Sequence, residues 1–171
     1  MVVLRSTQKL RRSLPTTEHV THESDTALGD WYVNRLVVDR RPLLLLMSSR
    51  GLLPLLISAR DVSSLPARLP SMVASALRRL SIPEVLVVAE YNAMSPVVVA
   101  PTRDRSVLGV MVDAAMSIPY HLTPGQWNEE TLPMVEYQLA HTPWFAKRQE
   151  ERVTYAIKAV PHLLEERWRS L

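Results

Sequence analysis

The stretch Leu28-Gly-Asp-Trp-Tyr-Val-Asn-Arg-Leu-Val-Val-Asp-Arg-Arg-Pro-Leu-Leu-Leu-Leu-Met-Ser-Ser-Arg50 decides how this chain is read. Trp31 to Val38 is dense in aromatic and β-branched residues, which suit a pleated, half-buried surface. Asp39-Arg-Arg-Pro42 supplies a charged connection, and Leu43 to Met47 is an unbroken apolar run. The run between Pro42 and Ser48-Ser49 is too short for a helix, so it predicts a strand covered on both faces and central in a sheet. Arg40-Arg41 lacks the Asn-Gly chemistry of a tight hairpin, which predicts an irregular connection.

Outward from this seed, Leu52 to Ile57 predicts a third strand. Pro54 places it at an edge, because proline cannot donate to a ladder. Val2–Arg5 predicts a further strand, and Val97–Ala100 is a candidate fifth. The expected fold is α+β: a small, mainly antiparallel sheet from the N-terminal half packed against helices, with a helical C-terminal third from about 103 to 171. Residues 1–171 read as one domain, with 15–27 a polar, mobile loop.

Ser6 to Leu14 predicts one or two helical turns capped by Ser6, with Leu10 and Leu14 inward. Ser63-Ser64 cap a helix with Pro66 in its first turn, and Leu69, Met72, Val73, Ala76, Leu77 and Leu80 fall at helical spacing. Glu84 to Met94 is contested: Val85, Val87 and Val88 favour strand, while Pro83-Glu84 and Ala89-Glu90 favour helix, which is preferred. Thr102 to Ser117 predicts a helix apolar around much of its circumference and so mostly buried, in which Gly109 marks close approach of another backbone. Leu132, Val135 and Leu139 face inward on a later helix, with Trp144 and Phe145 as anchors. Glu150–Lys158 and Pro161–Arg169 read as two helical pieces separated at Pro161.

Composition sets limits. Of 171 residues, 47% are hydrophobic and 22% charged, as in a globular protein. The chain has no cysteine, which excludes disulfides and thiolate sites. With 4 glycines it has no glycine-rich phosphate loop. The longest apolar run is interrupted by Arg50 and Pro54, so no membrane span is expected. The N-terminus does not read as a secretion signal, and a cytoplasmic location is expected. The formal charge of +3 is spread over small arginine groups among 17 acids, which reads mainly as solvated surface.

Three constellations are candidate sites. The first is the start of the Thr102 helix, where free N–H groups and the dipole favour an anion. Thr102, Arg103, Arg105 and Ser106, with Arg35, are the candidate anion-binding residues. In the competing reading Asp104 and Thr102 cap the helix and Arg105 pairs with an acid. The second is the strand pair around Asp30, Trp31, Asn34 and Arg35. Arg35 on an apolar strand needs a carboxylate if buried, so structural ion pairs are expected among Arg35, Arg105, Asp30, Glu90 and Asp113. The third is His19-Val-Thr-His22-Glu23 with Asp25, which lacks His-Glu-x-x-His order and reads as a solvated loop. No catalytic residue, metal or cofactor is expected. Trp127, Trp144, Phe145 and Trp168 read as core or interface anchors rather than a base-stacking platform.

The block Leu28-Gly-Asp-Trp-Tyr-Val-Asn-Arg-Leu36 followed by Thr102-x-Asp-Arg-Ser-Val-Leu-Gly109 resembles a family of small bacterial proteins known as a domain of unknown function. Its members begin with a strand like Val2-Val-Leu-Arg5 and carry a leucine-rich strand after a basic turn. The similarity covers about residues 1 to 168. After Arg105-Ser-Val-Leu-Gly109, relatives show a Met-Asn-Asp-like run where this chain has Met111-Val112-Asp113. The resemblance implies no activity. The leading expectation is a non-enzymatic interaction or regulatory module with a protein partner. A phosphate-like anion or nucleotide binder is the alternative, and weak nucleic-acid binding through arginines near 5–12 and 40–41 is the third.

Overall fold

The computed structural model describes residues 1–15, 20, 22–146 and 153–170. A five-stranded sheet runs in the order β4-β3-β2-β1-β5, with β1 Val2–Ser6, β2 Trp31–Val38, β3 Arg41–Ser48, β4 Pro54–Ser58 and β5 Val97–Pro101. Strands β2, β3 and β4 form an antiparallel meander, whereas β1 pairs parallel with both β2 and β5. The fold is therefore α+β with a mixed sheet, not a mainly antiparallel one. Parallel neighbours need long crossovers. The chain supplies them through α1 (Gln8–Arg11) with the following loop, and through α2 (Leu65–Arg79) with α3 (Glu84–Ala93).

Strand alternation sends successive side chains to opposite faces, and each face has its own core. Val2, Leu4, Trp31, Val33, Leu44, Leu46 and Leu55 pack with α2, α3 and α6 (Ala156–Arg167). Tyr32, Leu43, Leu45, Met47 and Leu56 pack with α4 (Arg105–Ser117), α5 (Leu132–Ala140), Trp127 and Trp144. Leu43 to Met47 is buried throughout because both faces of β3 are covered. Edge strand β4 carries Pro54, as its sequence implies. Leu10 and Leu14 are both buried. The contested segment is helical, with Leu86, Val87 and Glu90 buried and Val85 and Val88 exposed.

Several local expectations are corrected. The β2–β3 connection is a two-residue turn, Asp39-Arg40, with φ of 49° and 63°. Positive φ at both positions is the hairpin geometry that matches strand twist. Asp39 is fixed there because its Oδ2 accepts from Trp127 Nε1 at 2.7 Å and from the Gly125 N–H at 3.2 Å. Helix α6 runs through Pro161 without a break. Its inward face, Ala156, Val160 and Leu164, is fully buried, and that packing outweighs one missing ladder bond. The helix expected over Glu150–Lys158 is not formed as drawn: Val153–Tyr155 is a strand and the helix begins only at Ala156, while Glu150 lies outside the described residues. Within α4, Gly109 is exposed and nothing in the protomer approaches it. The helix is buried on one side only, with Val112 and Met116 outward. A short 3-10 turn, Ile118–His121, follows it, and β6 (Pro143–Phe145) pairs with β7 (Val153–Tyr155) in a small hairpin.

The open edge of β4 is guarded. Glu136 on α5 turns Oε1 to the outward Leu56 N–H at 2.8 Å, while its Oε2 pairs with Arg79 of α2 at 2.7 Å. Burial raises the Glu136 carboxyl above the ordinary glutamate range, against the pull of these bonds. Glu136→Ala leaves a buried edge donor unmet, and we expect a loss of about 1–3 kcal/mol in urea unfolding. Light scattering should also rise with concentration, because the bared edge can pair with another chain. A variant as stable and as monodisperse as the parent would refute this role.

Candidate functional site

The two sequence blocks meet where the loop before β2 passes the start of α4. Gly29 adopts φ of +71°, and a side chain there would press on Ser49 Oγ, so the turn into Asp30 requires glycine. Asp30 is buried beside β1. Its Oδ2 accepts from Arg5 Nε at 2.8 Å, and its Oδ1 accepts from the Ser24 N–H at 3.0 Å and Ser24 Oγ at 2.7 Å. Ser24 Oγ in turn accepts from the Val3 N–H. Arg5 is only 3% exposed, and its Nη1 donates to the Pro101 carbonyl at 3.3 Å. One buried ion pair therefore ties together β1, the end of β5 and the loop before β2.

Over this pair lies a polar cleft of about 350 Å³, lined by Glu23, Asp30, Tyr32, Arg50, Arg103 and Asp104 among others. Arg103 Nη2 donates to Glu23 Oε1 at 3.0 Å and lies 3.5 Å from Asp30 Oδ2. The Asp104 N–H donates to the Tyr32 hydroxyl, and Asp104 Oδ1 caps α4 by accepting from the Ser106 N–H at 2.8 Å. Burial raises the Tyr32 phenol above its ordinary value, so it keeps its proton near neutrality. Asp30 faces two guanidinium groups and two Ser24 donors.

The expected ion pairs do not form as drawn. Asp30 and Arg103 come together, but Asp30 is neutralised chiefly by Arg5. Arg35 lies on the Trp31 face of the sheet, opposite the face that α4 covers, and is exposed. Arg35 and the residues at 102–106 therefore cannot share one site. Arg105 and Asp113 are both exposed on α4, and neither makes an ion pair among the described residues. Glu90 is fully buried and makes no ion pair among the described residues, although the Arg167 charge is felt there. It accepts from the Ala27 N–H at 2.9 Å, the Leu28 N–H at 3.1 Å and Trp168 Nε1 at 3.0 Å.

That anchoring fixes the far end of the segment 15–27, of which 16–19 and 21 lie outside the described residues. Ser24, Thr26 and Ala27 are buried, and Thr26 Oγ1 donates to the Gly29 carbonyl. His19 lies outside the described residues. Glu23 is turned to Arg103, and no cluster suited to a metal ion occurs among the described residues. Trp127 and Trp144 are buried anchors, whereas Phe145 is half exposed. Arg5 is buried, not part of the solvated basic surface. The signal for its burial was present: a single charge closing the apolar run Val2-Val-Leu needs an acid once both faces of β1 are covered. Ser24 and Tyr32 carried no such signal.

No helix among the described residues is long and apolar enough to cross a membrane. No curated protein and no solved structure matches the chain. Residues 3–159, which hold the buried pair, the cleft and α4, match the family described as Domain of unknown function (DUF6933), and the chain belongs to that family.

Proposed function

We propose that this protein is a non-enzymatic binding module, one domain working in a bacterial cytoplasm, that docks a protein partner on the outer face of α4. One observation carries the reading. Val112, Met116 and Tyr120 are 55%, 66% and 90% exposed, and they follow the half-buried Leu108 at four-residue steps. A surface helix ordinarily turns such a stripe inward, and an outward one marks a contact surface. The polar cleft supports the same reading, since Asp30, Glu23, Arg103 and Asp104 are occupied by internal bonds. The absence of cysteine supports the compartment.

The test is a photo-reactive side chain in place of Val112, activated in the producing cells. A discrete adduct that disappears when Met116→Glu is added, at an unchanged melting temperature, is the expected result. No adduct, or one indifferent to Met116→Glu, would remove the reading.

A second reading, a phosphate-like anion at Thr102, Arg103 and Ser106, is favoured by two buried polar atoms without a protein partner, Arg5 Nη2 and Ser106 Oγ. Asp104 weakens it by already occupying the helix cap. Inorganic phosphate at about 10 mM should raise the melting temperature by mass action if the site exists. An unshifted melt would dismiss it. For nucleic acid, the burial of Arg5 and the engagement of Arg41 with the Trp127 carbonyl and ring take two cations out of the supposed patches.

A further inference from the structure

We infer that the partner on α4 is a second copy of this chain, held by two antiparallel α4 helices that cross at Gly109. The inference rests on the docking reading above and names the occupant.

Gly109 sits in the middle of a thirteen-residue helix, exposed, with nothing within 4 Å of where a Cβ would stand. Glycine is the poorest helix former after proline, and no contact within the protomer accounts for it. A helix laid across this face would account for it, because the missing side chain lets two backbones come close.

The charges then identify which helix. Arg105 lies four residues before Gly109 and Asp113 four residues after it, on the same exposed face. They carry opposite charges, and neither has an ion partner among the described residues. A two-fold axis through Gly109, perpendicular to the helix, exchanges these two positions. Arg105 of each copy then faces Asp113 of the other, the two pairs lying about 12 Å from each other along the axis, in the self-complementary manner of an isologous contact. An unrelated partner gives no reason for charges balanced about the glycine. Arg105, Gly109, Val112 and Met116 also follow the 4-3-4 spacing of a helix–helix seam, and the two-fold sets Val112 level with Ser106 of the second copy and Met116 level with its Thr102. Antiparallel packing opposes the two helix dipoles favourably.

One helix per copy is a small contact, below the ~1,200–2,000 Å² of a stable interface, so the dimer is weak. Sedimentation equilibrium on the full chain, from roughly 1 μM to 1 mM, should show the mass rising from one copy toward two across that range. Arg105→Glu and Asp113→Arg should each weaken association about tenfold or more, and the two together should restore it, because like charges are replaced by a swapped pair. Gly109→Leu should abolish the dimer yet leave the protomer folded with an equal or higher melting temperature, since its side chain enters open space. A chain that stays monomeric throughout, or a dimer indifferent to all these changes, overturns the inference. The two readings fail separately. A cross-linked adduct with a different protein, from a chain monomeric when pure, keeps the docking face and sinks the dimer. The absence of any adduct in the cell from that monomeric chain sinks both.

Discussion

Asp30→Ala should lower the free energy of unfolding by about 3–5 kcal/mol, because it strands Arg5 as an uncompensated buried charge. The side chains of Arg5 and Asp30 are 4% and 5% exposed, so water cannot take the place of the lost carboxylate. Ser24 loses its acceptor as well, and with it the lever that holds its Oγ against the Val3 N–H. Asp30→Asn keeps an oxygen for Ser24 but still abandons the guanidinium, and should show most of the loss. Arg5→Met combined with Asp30→Leu should recover part of it, giving a coupling of about 1–3 kcal/mol in a double-mutant cycle. Urea midpoints at an unchanged m-value measure each step. A cost below about 1 kcal/mol for Asp30→Ala would mean that the pair does not organise this junction.

Glu90→Ala should cost about 2–4 kcal/mol, as two buried backbone N–H groups and the Trp168 indole lose their acceptor, offset by relief from burying a charge. Burial is the largest influence on the Glu90 carboxyl and raises its pKa, while bonds from Ala27, Leu28 and Trp168 pull the other way. The folded value therefore stands above the ordinary glutamate value of 4.5. The stabilising contribution of this group is fully present below that ordinary value and is lost as pH climbs through the raised folded one. Glu90→Gln removes the proton from this balance. Unfolding followed across the acid range should lose about one proton's worth of slope in that window, with the share due to Glu136 left in place. An identical slope in parent and Glu90→Gln would show that Glu90 does not titrate there.

What the residues announced in advance was local. Leu43 to Met47 showed by its unbroken apolarity that it is covered twice, and Pro54 showed its edge position by its missing donor. The helical periods of α2 and α5 emerged as read. Parallel β1 was not legible, because its neighbours are chosen by crossovers and by residues far along the chain, with Val2 opposite Val97 and Leu4 opposite Trp31. The site failed for the same reason. Arg35 and Arg105 looked unsatisfied on their own segments, but solvent satisfies Arg35. The guanidinium that needed Asp30 was Arg5, twenty-five positions away. Pro161 and the Asp39-Arg40 turn show the converse: a local preference yielding to distant packing and to one tryptophan N–H.

The doubly covered β3 has a consequence for how the molecule is made. As the chain grows from its N-terminus, the meander β2-β3-β4 is complete once Ser58 has emerged, and α2 and α3 follow directly to roof one side. The other side, with Leu43, Leu45 and Met47, waits for α4 and α5, which end only at Ala140. For the synthesis of some eighty residues, a ribosome at ~5–20 residues per second holds out a greasy half-finished sheet for seconds. In that interval the nascent protein depends on a holding chaperone more than its finished, well-sheltered interior would suggest.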